Sequence, residues 1–431
     1  MHPLRSDRPL IVYLDIKSPY AYLALAPTLA MAERGGIEID WRPFVLDIPS
    51  YLGSAKLDAA GNVVEQERTP EQWAAVKYAY FDCRRYATLR ELTIRGTVKI
   101  WDTDLVSTGW LWAKLQGDDV LLRYVHDVSE RFWKRELDVE DPAVVEDRLR
   151  AAGADVAGFA GWAAAEGAAL HARLQADAFD HGIFGVPTYV VNEEIHFGRD
   201  HLPRVEALLT RPGAAATADK AYDAIGGEPA SPPVRELTVV VDLADLQSHL
   251  ALPMLLDLVA EAALPVRWVP MAGGAPPAPE DVAMDPVAGS RSERHRLWRA
   301  REWARDLERY AGGVRHPERR EDTTRADLAL LWAERSGAEV PTLVRTLDAA
   351  RWERGEALAE PAVVDAALRA CGAPREGFEA FLAAEGAKLL AARRQAVTDR
   401  RTPGAPALLL DDEPFVGRQH APLLRRRLGL T

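Results

Sequence analysis

The sequence predicts an α/β protein made of two tandem copies of one module, each carrying an inserted α-helical subdomain. Three observations lead to this fold class. Strand-like apolar runs alternate with helical patterns, and blocks of residues recur at constant spacing. A mostly helical stretch of roughly 100 residues, too long for a simple crossover, interrupts the alternation in each copy. The 431-residue chain is also too long for one ordinary hydrophobic core.

The first elements follow from local signals. The apolar run Leu10–Leu14 predicts a buried strand. Ser18-Pro19 then has the pattern of a helix start, with Ser at the N-cap and Pro at the first helical position, and Gly35-Gly36 is predicted to end this helix. A second strand is predicted at Ile37–Phe44.

The same order recurs in the second half of the chain. Asp15 to Trp41 matches Asp242 to Trp268 without a gap, and two later blocks match with slightly smaller constant offsets. The middle block pairs Asp82, Arg85, Tyr86 and Ala87 with Asp306, Arg309, Tyr310 and Ala311. The last block pairs Trp133, Pro142, Phe159, Glu166, Gly185, Pro187, Gly198 and His201 with Trp352, Pro361, Phe378, Glu385, Gly404, Pro406, Gly417 and His420. Chance does not hold an offset over such lengths, so we infer a duplication with loop deletions in the second copy.

These matches set the predicted domain limits. The first domain spans residues 8–210, with a helical insertion at about 70–179, and the second spans 235–431, with an insertion at about 285–398. Residues 211–234 are rich in Ala, Gly and Pro and lack apolar periodicity, so they are predicted to form an interdomain linker.

Composition and charge narrow the function classes. The 65 acidic side chains outnumber the 53 basic ones, and a net charge of −12 opposes binding to nucleic acid or anionic membranes. No apolar run reaches the roughly 20 residues of a membrane helix, and Met1 to Leu10 lacks the apolar stretch of a secretory signal. We therefore expect a cytoplasmic protein whose partner is a small-molecule substrate, with neither nucleic acid nor a membrane involved.

The two cysteines indicate no metal or disulfide chemistry. Cys83 and Cys371 lie far apart in sequence, each inside a helical pattern. Neither a disulfide framework nor a zinc site follows from such spacing, and we expect no bound metal. A small buried apolar role is the more common one for such residues.

Three segments carry a family resemblance: residues 15–24 (DIKSPYAYLA), residues 132–144, and residues 182–188 (GIFGVPT) with 197–200. Together, in this order, they resemble the 2-hydroxychromene-2-carboxylate isomerases and their kappa-class glutathione transferase relatives, in the DsbA-like branch of the thioredoxin superfamily. The resemblance covers nearly all of the first copy and, more faintly, the second. It implies two thioredoxin-like domains and a glutathione-dependent isomerase or transferase acting on a small aromatic or unsaturated electrophile.

Ser18 is the candidate catalytic residue. It stands where a dithiol enzyme of this superfamily would carry the first cysteine, so the first copy lacks dithiol chemistry. Ser18 could serve only as a helix N-cap, which contributes about 1 kcal/mol. The same geometry could also stabilise a bound thiolate, through the hydroxyl and the helix dipole. The resemblance implies this second role, with glutathione as the cofactor.

The glutathione site implied by the resemblance comprises Val186, Pro187, Arg199 and Asp200. Pro187 is expected to follow a cis bond that leaves the backbone of Val186 free to bind glutathione. Asp200 and the backbone of Arg199 are expected to hold the γ-glutamyl group. From the residues alone, Pro187 could simply end an edge strand, and Asp200 could simply favour a helix dipole. Arg199 departs from the small or amide residue of many relatives.

The resemblance also implies a substrate pocket formed by Tyr20, Tyr78 and Asp82. Ala75 replaces a lysine that relatives often carry three residues before this Tyr78 position. Large aromatic residues such as Trp101 could line such a pocket, although a core position is more common for them.

The second copy differs at the predicted chemistry. Asp245 replaces Ser18, and Gln419 replaces Asp200. A carboxylate beside a thiol raises the pKa of the thiol, so the second copy is expected to be silent and to serve in an intrachain pseudo-dimer or a homodimer. Two other functions stay open. A DsbA-like thiol-disulfide oxidoreductase would need a reactive cysteine, such as Cys83, in the cleft, and a non-catalytic thioredoxin-fold protein would bind without turnover.

Overall fold

The computed structural model describes residues 1–58, 63–211, 213, 220–222, 233–271, 290–310 and 321–430. The chain divides into two compact units. The first comprises Met1–Glu228 with Asp285–Arg296, and the second comprises Pro229–Met284 with Leu297–Thr431. Each unit combines a four-stranded sheet with helices, which confirms the predicted α/β class. Most of residues 211–234 and the predicted start of the second insertion near 285 lie outside the described residues.

Among its described residues, the first unit has six strands: β1 Leu10–Leu14, β2 Ile39–Pro43, β3 Ala55–Leu57, β4 Val63–Gln66, β5 Thr188–Val191 and β6 Glu194–Phe197. Its described α-helices are Pro19–Gly35, Pro49–Leu52, Pro70–Leu89, Asp104–Lys114, Asp118–Lys134, Pro142–Ala151, Phe159–Trp162, Ala168–Asp180 and Leu202–Thr210. A π-helical turn occupies Ala163–Gly167, and a 3-10 turn occupies Arg199–His201.

The second unit repeats this order among its described residues. Its strands are β7 Leu237–Val241, β8 Val266–Pro270, β9 Ala407–Leu410 and β10 Glu413–Val416. Its α-helices are Leu246–Ala262, Thr324–Arg335, Val340–Trp352, Pro361–Ala370, Phe378–Phe381, Ala387–Asp399 and Ala421–Arg427, with a π-helical turn at Leu382–Gly386 and a 3-10 turn at Arg418–His420. The helix Arg291–Tyr310 begins with residues counted in the first unit and continues with residues of the second.

Sheet topology places the candidate site at the C-terminal end of strand β1, where strand β5 begins. The strand order is β2-β1-β5-β6, with β1 parallel to β2 and antiparallel to β5. Tyr13 near the end of β1 pairs with Thr188 at the start of β5. The loop after β1 and the loop before β5 therefore meet, which brings the Ser18 segment beside Val186-Pro187. The second sheet has the equivalent order β8-β7-β9-β10.

The core of each sheet follows from its apolar central strand. All five residues of β1 and all five of β7 are buried, as expected for strands with neighbours on both sides and helices on their faces. Strand β2 is shorter than predicted, because pairing with β1 begins at Ile39 and ends at Pro43. The first helix ends as predicted, with Gly36 in the left-handed conformation at φ 60°. Within the described residues, no helix has the length and apolarity needed to cross a lipid bilayer.

Candidate functional site

Ser18 caps the helix Pro19–Gly35. Its backbone is extended, and its Oγ accepts a hydrogen bond from the backbone N–H of Ala21 at 3.2 Å, with Pro19 in the first turn. The side chain is 4% exposed. Because the cap uses Oγ only as an acceptor, the hydroxyl hydrogen remains available to donate to a neighbouring anion. The positive end of the helix dipole adds to this preference for negative charge.

The loop before β5 lies against this helix start. The Val186-Pro187 peptide bond is cis, and Val186 is buried. Thr188 Oγ1 donates to the carbonyl oxygen of Gly185 at 2.7 Å, which fixes the turn that leads into β5. Ser18 and Val186 both line one cavity of the first unit.

This cavity has a volume of about 250 Å³. Its walls come from the Ser18 segment, the segment after β2, the helix Pro70–Leu89, the loop before the helix Asp104–Lys114, and the loops at β5 and β6. The apolar and aromatic lining consists of Pro19, Tyr20, Leu46, Ile48, Tyr51, Leu52, Val76, Ala79, Tyr80, Ile100, Trp101, Val186 and Phe197. Ligand pockets have volumes of roughly 300 Å³ upward, so this one suits a small and largely apolar molecule.

The charged residues of the lining are all cationic. Lys17, Arg68, Lys99 and Arg291 line the cavity, and no Asp or Glu is among the described residues of its wall. Lys17 is 8% exposed, and its ammonium donates to the carbonyl oxygen of Trp101 at 3.2 Å. The cavity therefore presents positive charge inside an apolar enclosure, where an anionic group would be strongly attracted.

Asp15 anchors the turn that carries Lys17 and Ser18. Its carboxylate accepts hydrogen bonds from the backbone N–H of Leu46 at 2.7 Å, from Thr103 Oγ1 at 2.9 Å and from the backbone N–H of Lys17 at 3.2 Å. Burial raises the pKa of Asp15, and the Lys17 ammonium 3.9 Å away opposes this rise. Asp15 thus ties two cavity walls to the Ser18 turn, and its role is to position them.

The remaining predicted site residues form a second, buried group. Arg199 is 4% exposed, and its guanidinium lies 4.2 Å from the ring centre of Tyr86 and 3.8 Å from that of Tyr222. Asp82 is 1% exposed and forms an ion pair with Arg85 at 3.1 Å. Asp82 also acts electrostatically on Arg199. The group packs the inserted helix Pro70–Leu89 against the turn at Arg199.

The structure therefore separates the predicted residues. Ser18, Tyr20 and Val186 line the cavity, whereas Tyr78, Asp82, Arg199 and Asp200 are not among its described lining residues. Asp82 was expected to contribute to a substrate pocket, and the structure places its carboxylate in a buried ion pair with Arg85. Tyr20 belongs to both groups, since it lines the cavity and also acts electrostatically on the Cys83 thiol.

Part of the segment expected to be a plain linker packs into this buried group. The backbone N–H of Ala221 donates to the carbonyl oxygen of Asp200 at 3.0 Å. Tyr222 is 9% exposed, and its ring lies 5.0 Å from that of Tyr86 in an edge-to-face arrangement. Residues 220–222 thus cover the Arg199–Asp200 turn, which composition alone did not indicate.

The same buried group recurs in the second unit. Arg418, 5% exposed, donates from Nη1 to Gln247 Oε1 and lies 3.6 Å from the carboxylate of Asp306. By the sequence repeat, these three residues correspond to Arg199, Tyr20 and Asp82. An arginine held beside an aspartate of the inserted helix is therefore common to both copies, which indicates a structural role for the Arg199 side chain.

The second unit replaces the Ser18 hydroxyl by a carboxylate. Asp245 caps the helix Leu246–Ala262 and accepts a hydrogen bond from the backbone N–H of Ser248 at 3.0 Å. Burial raises the pKa of Asp245 to about 6. At the place of Asp200, the Gln419 side chain donates to the carbonyl oxygen of Val416 at 2.7 Å.

Neither cysteine is placed for thiol chemistry. Cys83 is fully buried, and burial together with the nearby Asp82 carboxylate raises the pKa of its thiol well above the ordinary value. Cys371 is 4% exposed, and burial raises its thiol pKa as well. Reactive cysteines are accessible and have lowered pKa values, so both residues have the character of core thiols.

The sequence did not indicate several charged or polar residues that line the cavity. These are Lys17, Tyr51, Arg68, Lys99 and Arg291. Lys17 could have been found from its place beside Ser18 in the motif. Arg291 carried no sequence signal, because it is far along the chain from the rest of the lining.

Comparison with known proteins identifies both copies. The DSBA-like thioredoxin domain matches residues 9–210 and 246–429. A 2-hydroxychromene-2-carboxylate isomerase from Sphingobium xenophagum is 30% identical over 206 residues, which cover 46% of this chain and 95% of that protein. A solved 2-hydroxychromene-2-carboxylate isomerase is similar with a TM-score of 0.37 and 20% identity, covering 48% of this chain and 97% of that one. A probable DsbA oxidoreductase from Streptomyces coelicolor has a TM-score of 0.36 and 20% identity, covering 52% and 96%.

Proposed function

Since this chain belongs to the DSBA-like thioredoxin domain family and carries that domain twice, we propose that its first copy is a glutathione-dependent isomerase or transferase acting on a small aromatic or unsaturated electrophile. The observation that carries the proposal is the placement of Ser18, whose capping hydroxyl opens on a cationic, mostly apolar cavity beside the cis bond of Val186-Pro187. The 30% identity over 206 residues to a 2-hydroxychromene-2-carboxylate isomerase supports the reaction class.

The residues of the first copy fit glutathione at its thiol end. Ser18 can donate its hydroxyl hydrogen to a sulfur anion at the positive end of a helix, and the nearby Lys17 ammonium adds attraction. Bound glutathione supplies the nucleophilic thiolate, which is recovered after an isomerisation and retained in the product of a transfer. Val186, Pro187, Asp200 and the backbone of Arg199 are proposed to hold the peptide. The side chain of Arg199 is left out, because it is enclosed by two tyrosine rings.

The chain's own groups can then organise the electrophile. The apolar and aromatic walls exclude water, which strengthens every electrostatic interaction inside the cavity. The cationic lining stabilises negative charge that develops on the electrophile during addition. Tyr20 and Tyr80 supply aromatic faces for an unsaturated ring.

Disulfide exchange receives no support from the described cysteines. Ser18 replaces the nucleophilic cysteine, and Cys83 is buried with a raised thiol pKa. The second copy is proposed to be silent, because Asp245 would oppose a thiolate, and to act as the counterpart in an intrachain pseudo-dimer.

A non-catalytic binding protein is the second candidate. It is favoured by the contact of Ala221 with the Asp200 carbonyl and by the enclosure of Arg199, which both occupy the turn assigned to the γ-glutamyl group. This candidate predicts that a ligand binds without turnover of an added electrophile such as 1-chloro-2,4-dinitrobenzene.

Calorimetric titration of the full chain with glutathione tests the proposal. One site per chain is expected, since Ser18 is present only in the first copy. No detectable binding would remove the glutathione reading, and two equivalent sites would contradict a silent second copy. Binding of one glutathione without turnover of any electrophile would favour the second candidate.

A further inference from the structure

One cation of the cavity comes from a distant part of the sequence. Arg291 is the first residue of the helix Arg291–Tyr310 and belongs to the segment Asp285–Arg296 that is counted with the first unit. The lining residue that precedes it in chain order is Phe197. The cavity wall is therefore completed by a segment that lies beyond the first matched domain, residues 9–210, in the sequence.

Aromatic contacts hold this segment in the first unit. The guanidinium carbon of Arg294 lies 3.8 Å from the ring centre of Phe179, and its Nη1 donates to the carbonyl oxygen of Phe179. The ring of His295 lies 5.4 Å from that of Phe184 and 6.0 Å from that of Phe197. Phe197 also lines the cavity, so the segment is anchored directly behind the wall that Arg291 completes.

Arg291 itself is held over an aromatic ring and close to the cis bond. Its guanidinium carbon lies 3.2 Å from the ring centre of Tyr51, another lining residue. A Cβ atom added at Gly185 would lie 3.5 Å from Arg291 Nη2, so the guanidinium lies within reach of the loop before Pro187. The cation therefore faces the same space as Val186.

The charge of Arg291 is incompletely compensated by the described residues. Its Nε is buried without a hydrogen-bond partner among them, and no ion pair within 4.0 Å is formed with any of them. By contrast, Lys17 lies 3.9 Å from Asp15, and Lys99 lies 2.6 Å from Glu140. Burial lowers the pKa of Arg291 even though Asp47 acts on it electrostatically from beyond ion-pair distance, so an anion in the cavity would be bound with particular strength.

We propose that Arg291 is a specificity-determining residue that binds an anionic group of the aromatic second substrate. The guanidinium fork is suited to a carboxylate or sulfonate, and the apolar wall accepts the ring that carries it. The inference rests on the proposed function for its substrate class. The experiment that tests it is independent of the proposed function, because the binding of an aromatic anion can be measured without glutathione.

The test compares two probes of equal shape, 1-naphthoate and its neutral isostere 1-naphthamide, by calorimetry on the full chain. The wild type is expected to bind the anion more tightly than the amide. In Arg291→Gln, the affinity for naphthoate should fall about 10-fold or more, the loss expected for one charge-assisted hydrogen bond, while the affinity for naphthamide is unchanged. Arg291→Lys should recover part of the loss. Arg296→Gln, an exposed position in the same segment, is the matched control and should bind both probes as the wild type does.

Equal affinity of the wild type for both probes would overturn the proposal. Equal weakening of both probes in Arg291→Gln would also overturn it, because it would mark a purely structural wall residue. Titration of the same variants with glutathione separates the sources of the anion. Weaker glutathione binding with unchanged naphthoate binding would assign Arg291 to a carboxylate of glutathione and overturn its substrate role. If the wild type binds no glutathione but Arg291 still selects naphthoate, the proposed function fails and this inference stands.

Discussion

The carboxylate of Asp245 accepts the backbone hydrogen of Ser248 at 3.0 Å, and so makes the same helix cap as the hydroxyl of Ser18 in the first unit. The two capping side chains differ in the hydrogen-bonding capacity that they keep once the capping bond is formed. The hydroxyl keeps a hydrogen to donate, whereas an ionised carboxylate has none and adds a negative charge. Both residues can therefore cap the helix, but only Ser18 can also stabilise a bound thiolate.

This difference predicts distinct effects of two Ser18 variants. Ser18→Ala should lower the free energy of unfolding by about 1 kcal/mol through loss of the cap. Ser18→Asp should keep the capping bond but lower stability at neutral pH, because it places an ionised carboxylate at a buried position. Both should raise the thiol pKa of bound glutathione and slow turnover roughly 10-fold or more, because both remove the donated hydrogen. Ultraviolet titration of the bound thiolate measures the pKa, and Ser18→Thr, which keeps a hydroxyl, is the control. An unchanged thiol pKa in Ser18→Ala would remove the assigned role.

Asp245 predicts a dependence of stability on pH. Its pKa is about 6 in the folded protein, above the ordinary value of 3.8, so the folded state binds the proton more tightly. The contribution of Asp245 to stability is therefore greatest below pH 3.8 and is lost as the pH rises toward and through 6. Asp245→Asn, which keeps a capping oxygen, should stabilise the protein at pH 7.5 by at most a few kcal/mol and have little effect near pH 4. Urea unfolding at both pH values measures this difference, and a gain that is equal at both would contradict the assignment.

Tyr222 predicts that part of the 211–234 segment contributes to stability. Tyr222→Ala removes a ring that lies against Arg199 and Tyr86, and should lower the free energy of unfolding by about 2–4 kcal/mol. Arg211→Ala, at an exposed position of the same segment, should change it by less than about 0.5 kcal/mol. Denaturant unfolding of both variants gives the comparison. Equal and negligible effects would restore the interpretation of this segment as a plain linker.

The cysteines predict resistance to thiol reagents. Both Cys83 and Cys371 are buried, and burial raises both thiol pKa values. The folded protein should therefore react with neither iodoacetamide nor a chromogenic disulfide over minutes, whereas the unfolded chain should expose both thiols. Mass spectrometry counts the modified residues. Rapid labelling of Cys83 with loss of activity would instead support a disulfide oxidoreductase.

Local signals made the Ser18 region predictable. A Ser-Pro pair after an apolar strand needs only neighbouring residues to form a capped helix, and Gly36 ends that helix in the conformation that glycine favours. The sequence repeat then predicted that Asp245 caps the equivalent helix, because the same local sequence pattern occurs in both copies. These parts of the fold depend on short stretches of chain.

The rest of the site depends on contacts between distant segments. Tyr222 lies in a stretch without apolar periodicity, and the helical pattern that begins at Arg291 does not show where this residue packs. Tyr222 contacts the ring of Tyr86, and Arg291 contacts the ring of Tyr51, both far away in sequence. The resemblance assigns the backbone of Arg199 to a ligand, whereas its side chain is buried against Tyr86 and Tyr222 and is not among the described lining residues of the cavity. Such contacts leave no trace in composition or spacing, so only the three-dimensional structure identifies them.

The two π-helical turns, Ala163–Gly167 and Leu382–Gly386, have a consequence for the history of the chain. A π turn holds one extra residue, is rare, and shifts every later side chain around the helix. Both turns end in a glycine with little room for a Cβ, packed against Trp162 in one unit and Phe381 in the other. Independent origin of two such turns at equivalent positions is improbable, so the single-domain ancestor already possessed this turn before its gene was duplicated. The Ala-Ala-Glu-Gly stretch is therefore an inherited landmark, by which diverged descendants of that ancestor can be aligned even where their catalytic residues have changed.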